Sequence, residues 1–215
     1  MIVSHKHKFI FIHIPRTAGT RVSKSICKRI GVKNWKKFIG EPSSLIEGKV
    51  EENGEWVGNK HIRAKKLKKL VGGKVWKSYF KFSFVRNPWD RAISVYLHNR
   101  KNSKLKNVWP KSKKMFRIAL KAKYNLLGSN SVQQIDYVTD DRNKVILDFV
   151  GKFENLSEDF KFVTKSIGIS CKINRVYDST GKKNHVEWYD ESSKNVIRRE
   201  KKDDINKFNY NFQSE

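Results

Sequence analysis

The sequence predicts an α/β protein, a single domain over residues 1–215 built on a parallel β-sheet flanked by helices. Three observations predict it. Two β-rich apolar runs, Phe9 to Ile14 and Tyr79 to Val85, have the near-continuous hydrophobicity of strands buried on both faces. Each run is followed by turn-forming residues and then by apolar positions at helical spacing. A third unit of the same kind, Val145 to Val150 followed by Leu156 to Ile167, repeats the alternation that covers both faces of a parallel sheet.

In chain order, Met1 to Lys8 reads as a frayed end, too short and polar for a signal peptide, with His5 and His7 in solvent. Phe9 to Ile14 is the first strand and Pro15 to Thr20 a turn. Val22, Ile26, Cys27 and Ile30 mark a helix that ends at Gly31, where a C-cap glycine belongs. Residues 34–59 read mostly as loop. Ala64 to Val71 is a short helix stopped by Gly72-Gly73. After the strand Tyr79 to Val85, Asn87 caps a helix, Pro88 fits its first turn, and Ala92, Ile93, Tyr96 and Leu97 form its apolar face. Residues 100–124 suggest a lysine-rich helix. Tyr189-Asp190-Glu191 opens a last helix, and the tail Phe208 to Phe212 packs on the domain.

The chain has 47 Lys+Arg against 21 Asp+Glu, a formal net charge of +26, with 38% hydrophobic residues. That apolar share supports a packed core and excludes global disorder. The excess charge has two readings: an anionic partner, or a solvated lysine-rich surface, since the lysines are spread along the chain. Two cysteines, Cys27 and Cys171, make no disulfide framework, and no Cys/His spacing suggests a metal. No apolar run reaches membrane-spanning length. A cytoplasmic protein without metal is the expectation.

The chemistry sits in two strand-to-helix junctions. Ile14-Pro15-Arg16-Thr17-Ala18-Gly19-Thr20 lies where α/β folds bind anions, with backbone N–H groups and a helix dipole directed at the ligand. Gly19 allows close backbone approach, Thr17 and Thr20 bring hydroxyls, and Arg16 brings a fixed charge. GxxxxGK[ST] is absent, which disfavours a nucleotide kinase. In the second junction Arg86 leaves a strand end and Ser94 lies two turns into the next helix, so both can reach one phosphate. The competing reading pairs Arg86 with Asp90 and leaves Ser94 in solvent.

Together these segments resemble the PAPS-dependent sulfotransferases, in the branch with carbohydrate sulfotransferases and bacterial relatives. That family's first loop, commonly PKTAGTS, holds the 5′-phosphosulfate, and its second, commonly RNPxxRxxSxY, holds the 3′-phosphate. The likeness continues at Gly58-Asn59-Lys60-His61, Gln134 to Tyr137, Asp148 to Leu156, and Tyr189 with the last helix. It implies a P-loop-like sulfotransferase fold, PAPS as co-substrate with PAP as product, and a hydroxyl acceptor, sugar or polysaccharide. Residue by residue it places Arg16, Thr17, Ala18, Gly19, Thr20 and Arg21 on the 5′ side, Arg86 and Ser94 on the 3′-phosphate, Arg16 on the leaving group, and His61 as general base.

Three residues depart from the family pattern. Arg16 replaces a lysine, Arg21 a serine, and Arg63 the Ser/Thr cap that usually follows the histidine. His13 reads as a hydrogen-bonded core residue, and His98 and His185 as exposed. The rival function is a non-catalytic nucleic-acid or polyanion binder, for which Trp109, Phe116 and Tyr124 among lysines would supply stacking rings.

Overall fold

The computed structural model describes residues 1–31, 50–51, 55–57, 61–102, 112–121, 132–173 and 185–213. By contact the chain divides into two compact units: Met1–Val85 with Gln134–Val176, and Arg86–Gln133 with Tyr177–Glu215.

The first unit is built on a six-stranded sheet. Its strands are β1 (Ile2–Ser4), β2 (Phe9–Ile12), β3 (Val50–Glu51), β4 (Glu55–Val57), β5 (Phe80–Val85) and β6 (Phe149–Lys152), in the order β3-β4-β1-β2-β5-β6. Only β2, β5 and β6 are parallel neighbours; β1, β3 and β4 extend the sheet antiparallel. The expected all-parallel sheet is thus a mixed one. The reason is the N-terminal segment, which is a buried strand and not a frayed end. Met1, Ile2 and Val3 are apolar and fully covered, and the four-residue turn after Ser4 returns the chain antiparallel onto β2. His5, on that turn, is exposed as expected, with its ring on the Tyr79 hydroxyl; His7 is half-buried, and burial lowers its pKa, helped by Lys6 and Arg29.

Helices α1 (Gly19–Ile30), α2 (Ala64–Ser78), a short α5 (Ile135–Val138) and α6 (Leu156–Ser166) belong to the same unit. Gly31 ends α1 in the left-handed conformation and donates to the Cys27 carbonyl. The Gly72-Gly73 pair bends α2 rather than stopping it: Gly72 takes φ 80, ψ 159, and the helix resumes to bury Trp76. The third strand begins later than Val145. Residues 139–145 close on themselves through a Thr139–Val145 bridge, and Asp148 accepts from both the backbone N–H and the ammonium of Lys81, each at 2.7 Å. That double contact sets Phe149 opposite Phe82. Phe9, Phe11, Phe82 and Phe84 on the sheet meet Val22 and Ile26 of α1 and Leu156, Phe160 and Val163 of α6 in one core. Each such side chain, fully buried, contributes about 1.5–3 kcal/mol.

The second unit is helical: α3 (Pro88–Asn102), α4 (Lys113–Lys121), a 3₁₀ turn at Val186–Trp188, α7 (Glu191–Glu200) and α8 (Lys202–Lys207). The lysine-rich stretch 100–124 yields the end of α3 and α4; 103–111 and 122–131 lie outside the described residues. Trp89, Ile93 and Tyr96 of α3, Phe116 and Leu120 of α4, and Trp188, Tyr189 and Ile197 share its core. The tail packs as expected. Phe212 meets Trp89 and Tyr189 edge-on at 5.6 Å each, and His185, expected in solvent, is half-buried with its Nε2 on the Phe212 carbonyl. His98 is half-buried too.

Candidate functional site

The junction after β2 is a strained turn. Arg16 and Ala18 both hold left-handed backbone, φ 68 and φ 65, a conformation that disfavours side chains. Ala18 is the N-cap of α1 and offers no side-chain cap; the first turn of α1 carries no acid. An α-helix leaves its first N–H groups without intrahelical partners. An uncapped start without a carboxylate, beside the half-buried Arg16, is the arrangement that accepts an anion.

The loop residues do not all act as the motif suggests. Thr17 is buried, and its hydroxyl donates to the Ile14 carbonyl at 3.1 Å, so its proton braces the turn. Thr20 is exposed, and Arg21 half-buried on α1. Gly19 has a different reason to be glycine. A Cβ built there would overlap the ring of His13, so the missing side chain makes room for an imidazole of the protein itself.

His13 is the centre of this cluster. It is 3% exposed, stacks on Phe11 at 5.9 Å, and meets His61 edge-on at 4.9 Å. Its carbonyl lies 3.1 Å from Nδ1 of His61. A carbonyl only accepts, so Nδ1 of His61 carries the hydrogen and donates. The tautomer is thereby fixed: in neutral His61 it is Nε2 that holds the lone pair. His61 is half-buried and precedes α2, whose N-cap Arg63 gives no side-chain cap, as the departure from Ser/Thr implied. Gly58, Asn59 and Lys60, which carry the rest of that motif, lie outside the described residues.

The second junction, in the other unit, has the opposite character. Asn87 caps α3 through Oδ1, which accepts from the Trp89 N–H at 3.0 Å, while its Nδ2 donates to the Asn211 carbonyl. Arg86 pairs with Asp90, Nε to Oδ2 at 2.6 Å, and both are largely covered. The competing reading of this motif is therefore present in its first half. In its second half it is not: Ser94 is 1% exposed. Asp90 and Ser94 are four residues apart on α3, the spacing that stacks side chains on one helix face, and Arg86 precedes the cap. Arg91, which the motif reading left without a role, is buried and donates to the Val132 carbonyl at 3.3 Å. The structure brings His13, His61 and Gly19 together in one unit, and Arg86 and Asp90 in the other.

A profile of the sulfotransferase family matches residues 1–211. The chain belongs to that family. An uncharacterized protein of Archaeoglobus fulgidus is 34% identical to it over 122 residues, 54% of this chain and 94% of that protein. Membership makes the chain an enzyme that moves a sulfuryl group from a sulfate donor to a hydroxyl acceptor. The nucleic-acid reading loses its support. Phe116 is 1% exposed in the core of its unit and can stack on no base, while Trp109 and Tyr124 lie outside the described residues. Among the described residues no helix is long and apolar enough to cross a membrane.

Proposed function

We propose that this sulfotransferase takes PAPS as donor and a carbohydrate hydroxyl as acceptor, the whole chain serving as one catalytic domain of a cytoplasmic protein, with His61 as the general base. The observation that carries the reading is the His61–His13 hydrogen bond. A base must present a lone pair, and a donated Nδ1–H leaves Nε2 to do so. As the acceptor oxygen bonds to sulfur, the hydroxyl proton passes to Nε2, and the sulfur–oxygen bond to the nucleotide phosphate breaks. The His13 carbonyl keeps its hydrogen bond throughout and stabilises the imidazolium. Arg16 and the uncapped start of α1 suit the charge that grows on the departing phosphate. Residues Thr17 to Arg21 are assigned to the 5′ side by the motif, Thr17 as a brace for the turn. Arg86 and Ser94 are assigned to the 3′-phosphate by sequence position.

Transfer of labelled sulfate from PAPS to a panel of glycans and simple alcohols tests this. The variant His61→Ala is expected to lower kcat by about 10²–10⁴-fold while PAP affinity stays unchanged. Retention of most turnover removes His61 from the mechanism.

A further inference from the structure

Outside the junctions, the first unit has a cleft along α6 and the segment that follows it. Its volume is 710 Å³, within the usual range of ligand sites. Ser157, Lys161, Thr164 and Lys165 line it from the helix, Cys171 and Lys172 from the facing segment. Residues 157, 161, 164 and 165 recur at helical spacing, so they form one stripe of α6, next to the face that Phe160 and Val163 bury in the core.

Some lysines of the described residues are neutralised by carboxylates and others keep their charge uncompensated, and the cleft gathers three of the second kind. Lys65, Lys81, Lys113, Lys121 and Lys194 each hold a carboxylate at 2.7–3.1 Å. Among the described residues Lys161, Lys165 and Lys172 pair with none, although all three are exposed around one concavity. Glu158 is the one carboxylate in the lining. Three ammonium groups and the two exposed hydroxyls of Ser157 and Ser170 around a cleft of this size fit a ligand with several anionic oxygens, the Thr164 hydroxyl being spent on the Lys161 carbonyl. The lining offers no exposed ring: Phe160, its one aromatic, is 1% exposed. Nucleic-acid bases have nothing to stack on.

We infer that the α6 cleft is a subsite for a sulfated segment of the acceptor chain, apart from the hydroxyl that reacts. The inference rests on the carbohydrate-acceptor reading and adds a site to it. Each turnover turns a neutral hydroxyl into a sulfate ester, so the product carries the group these lysines recognise and a fresh acceptor does not. The cleft then holds a partly sulfated chain in preference to an unmodified one, which favours repeated transfer to the same molecule.

The test uses a fluorescein-labelled dextran sulfate oligosaccharide, with unsulfated dextran as its neutral counterpart. Native protein is expected to bind the first and not the second. Replacing Lys161, Lys165 and Lys172 with alanine is expected to weaken dextran sulfate binding about 10-fold or more and to flatten its salt dependence. The triple arginine variant is expected to retain binding. Dextran sulfate is also expected to slow alkylation of Cys171 in native protein, where Cys27 is buried and silent. Equal affinity in the native and triple alanine proteins overturns the subsite, as does an RNA oligonucleotide that displaces the probe at equal concentration. PAP affinity, read on the same samples, is expected to match between native and triple alanine proteins. A parallel fall in PAP binding overturns the cleft as a separate site. Lysine-dependent dextran sulfate binding in a protein that ignores PAP upholds the subsite and defeats the donor assignment.

Discussion

Two helices of this enzyme begin directly after parallel strands, α1 after β2 and α3 after β5, and their starts are opposites. The start of α1 has no side-chain cap, no acidic residue and two left-handed non-glycine residues before it. The start of α3 is satisfied by its own residues: Asn87 caps it, Asp90 sits in its first turn, and Arg86 is paired with that aspartate. One end is left strained and electrostatically open, which costs stability and suits an incoming anion. The other is neutral in the absence of ligand, so an anion that binds Arg86 must compete with Asp90. A shared strand–loop–helix pattern therefore conceals two ways of handling charge.

The largest effect is expected at Gly19. Gly19→Ala drives a methyl group into the His13 ring, which is packed against Phe11 and His61. Overpacking of this kind costs about 1–3 kcal/mol. Displacement of His13 also moves the carbonyl that orients His61, so transfer activity is expected to fall at least about 100-fold. The double variant His13→Ala/Gly19→Ala separates the two explanations for this glycine. If the ring is the obstacle, the double variant unfolds in urea at a higher concentration than additivity of the single variants gives. If a nucleotide needs the space, removing the ring restores nothing.

A smaller effect is expected at the paired end. Arg86→Ala removes a charge-assisted contact and leaves Asp90 without its partner, so PAP binding is expected to weaken by about 2–3 kcal/mol. Asp90→Asn sharpens the comparison. It frees Arg86 from competition and is expected to tighten PAP binding several-fold in calorimetry. A weaker complex would show that Asp90 positions Arg86 rather than competing with the phosphate.

Much of this was legible in the sequence, for physical reasons that differ by region. The runs Phe9 to Ile12 and Phe80 to Val85 declare themselves because a strand buried on both faces needs apolar residues throughout. Gly31 and Asn87 were readable as caps because those positions demand specific backbone or hydrogen-bonding chemistry. No periodic signal marks β1: three residues, Ile2 to Ser4, are too few for a period, and only pairing with β2 and β4 makes them a strand. The start of β6 at Phe149 depends on Asp148 meeting Lys81, a contact 67 residues apart in the chain that no local pattern encodes. In the site, the loop and His61 followed from the motifs. The role of His13 did not, because a buried histidine against a glycine carries no signal until the two are seen in contact.

Loss of the cap on α3 is expected to be a pure stability effect. Asn87→Ala removes the Oδ1 acceptor of the Trp89 N–H and the donor to the Asn211 carbonyl, and is expected to cost about 1–2 kcal/mol in urea unfolding. Asn87→Asp restores the cap but not the donor, and is expected to recover part of that loss. If the alanine variant instead loses PAP affinity at unchanged stability, the second junction is less self-contained than its hydrogen bonds imply.

The smallest effect is expected at Asp190, the cap of α7. Its carboxylate accepts from the Lys121 ammonium at 2.8 Å and from the Ser193 hydroxyl and N–H at 2.6 and 2.8 Å. These contacts, the Lys121 one foremost, hold its pKa well below the usual carboxylate range. A carboxylate whose folded pKa is depressed contributes stability above its unfolded pKa, near 4, and loses it as pH falls toward the folded value. Since Asp190 lies at the surface, screening keeps the contribution small. Asp190→Asn keeps a capping oxygen without the titration. The native protein is therefore expected to lose more of its urea midpoint than Asp190→Asn between about pH 5 and pH 2.5, the gap between the two narrowing throughout that range and closing only below it. Raising the salt concentration is expected to shrink the Lys121 share of that difference and leave the Ser193 share, since screening acts on the exposed ion pair and not on the cap hydrogen bonds. Identical pH profiles for the two proteins would place the acid sensitivity of this unit elsewhere.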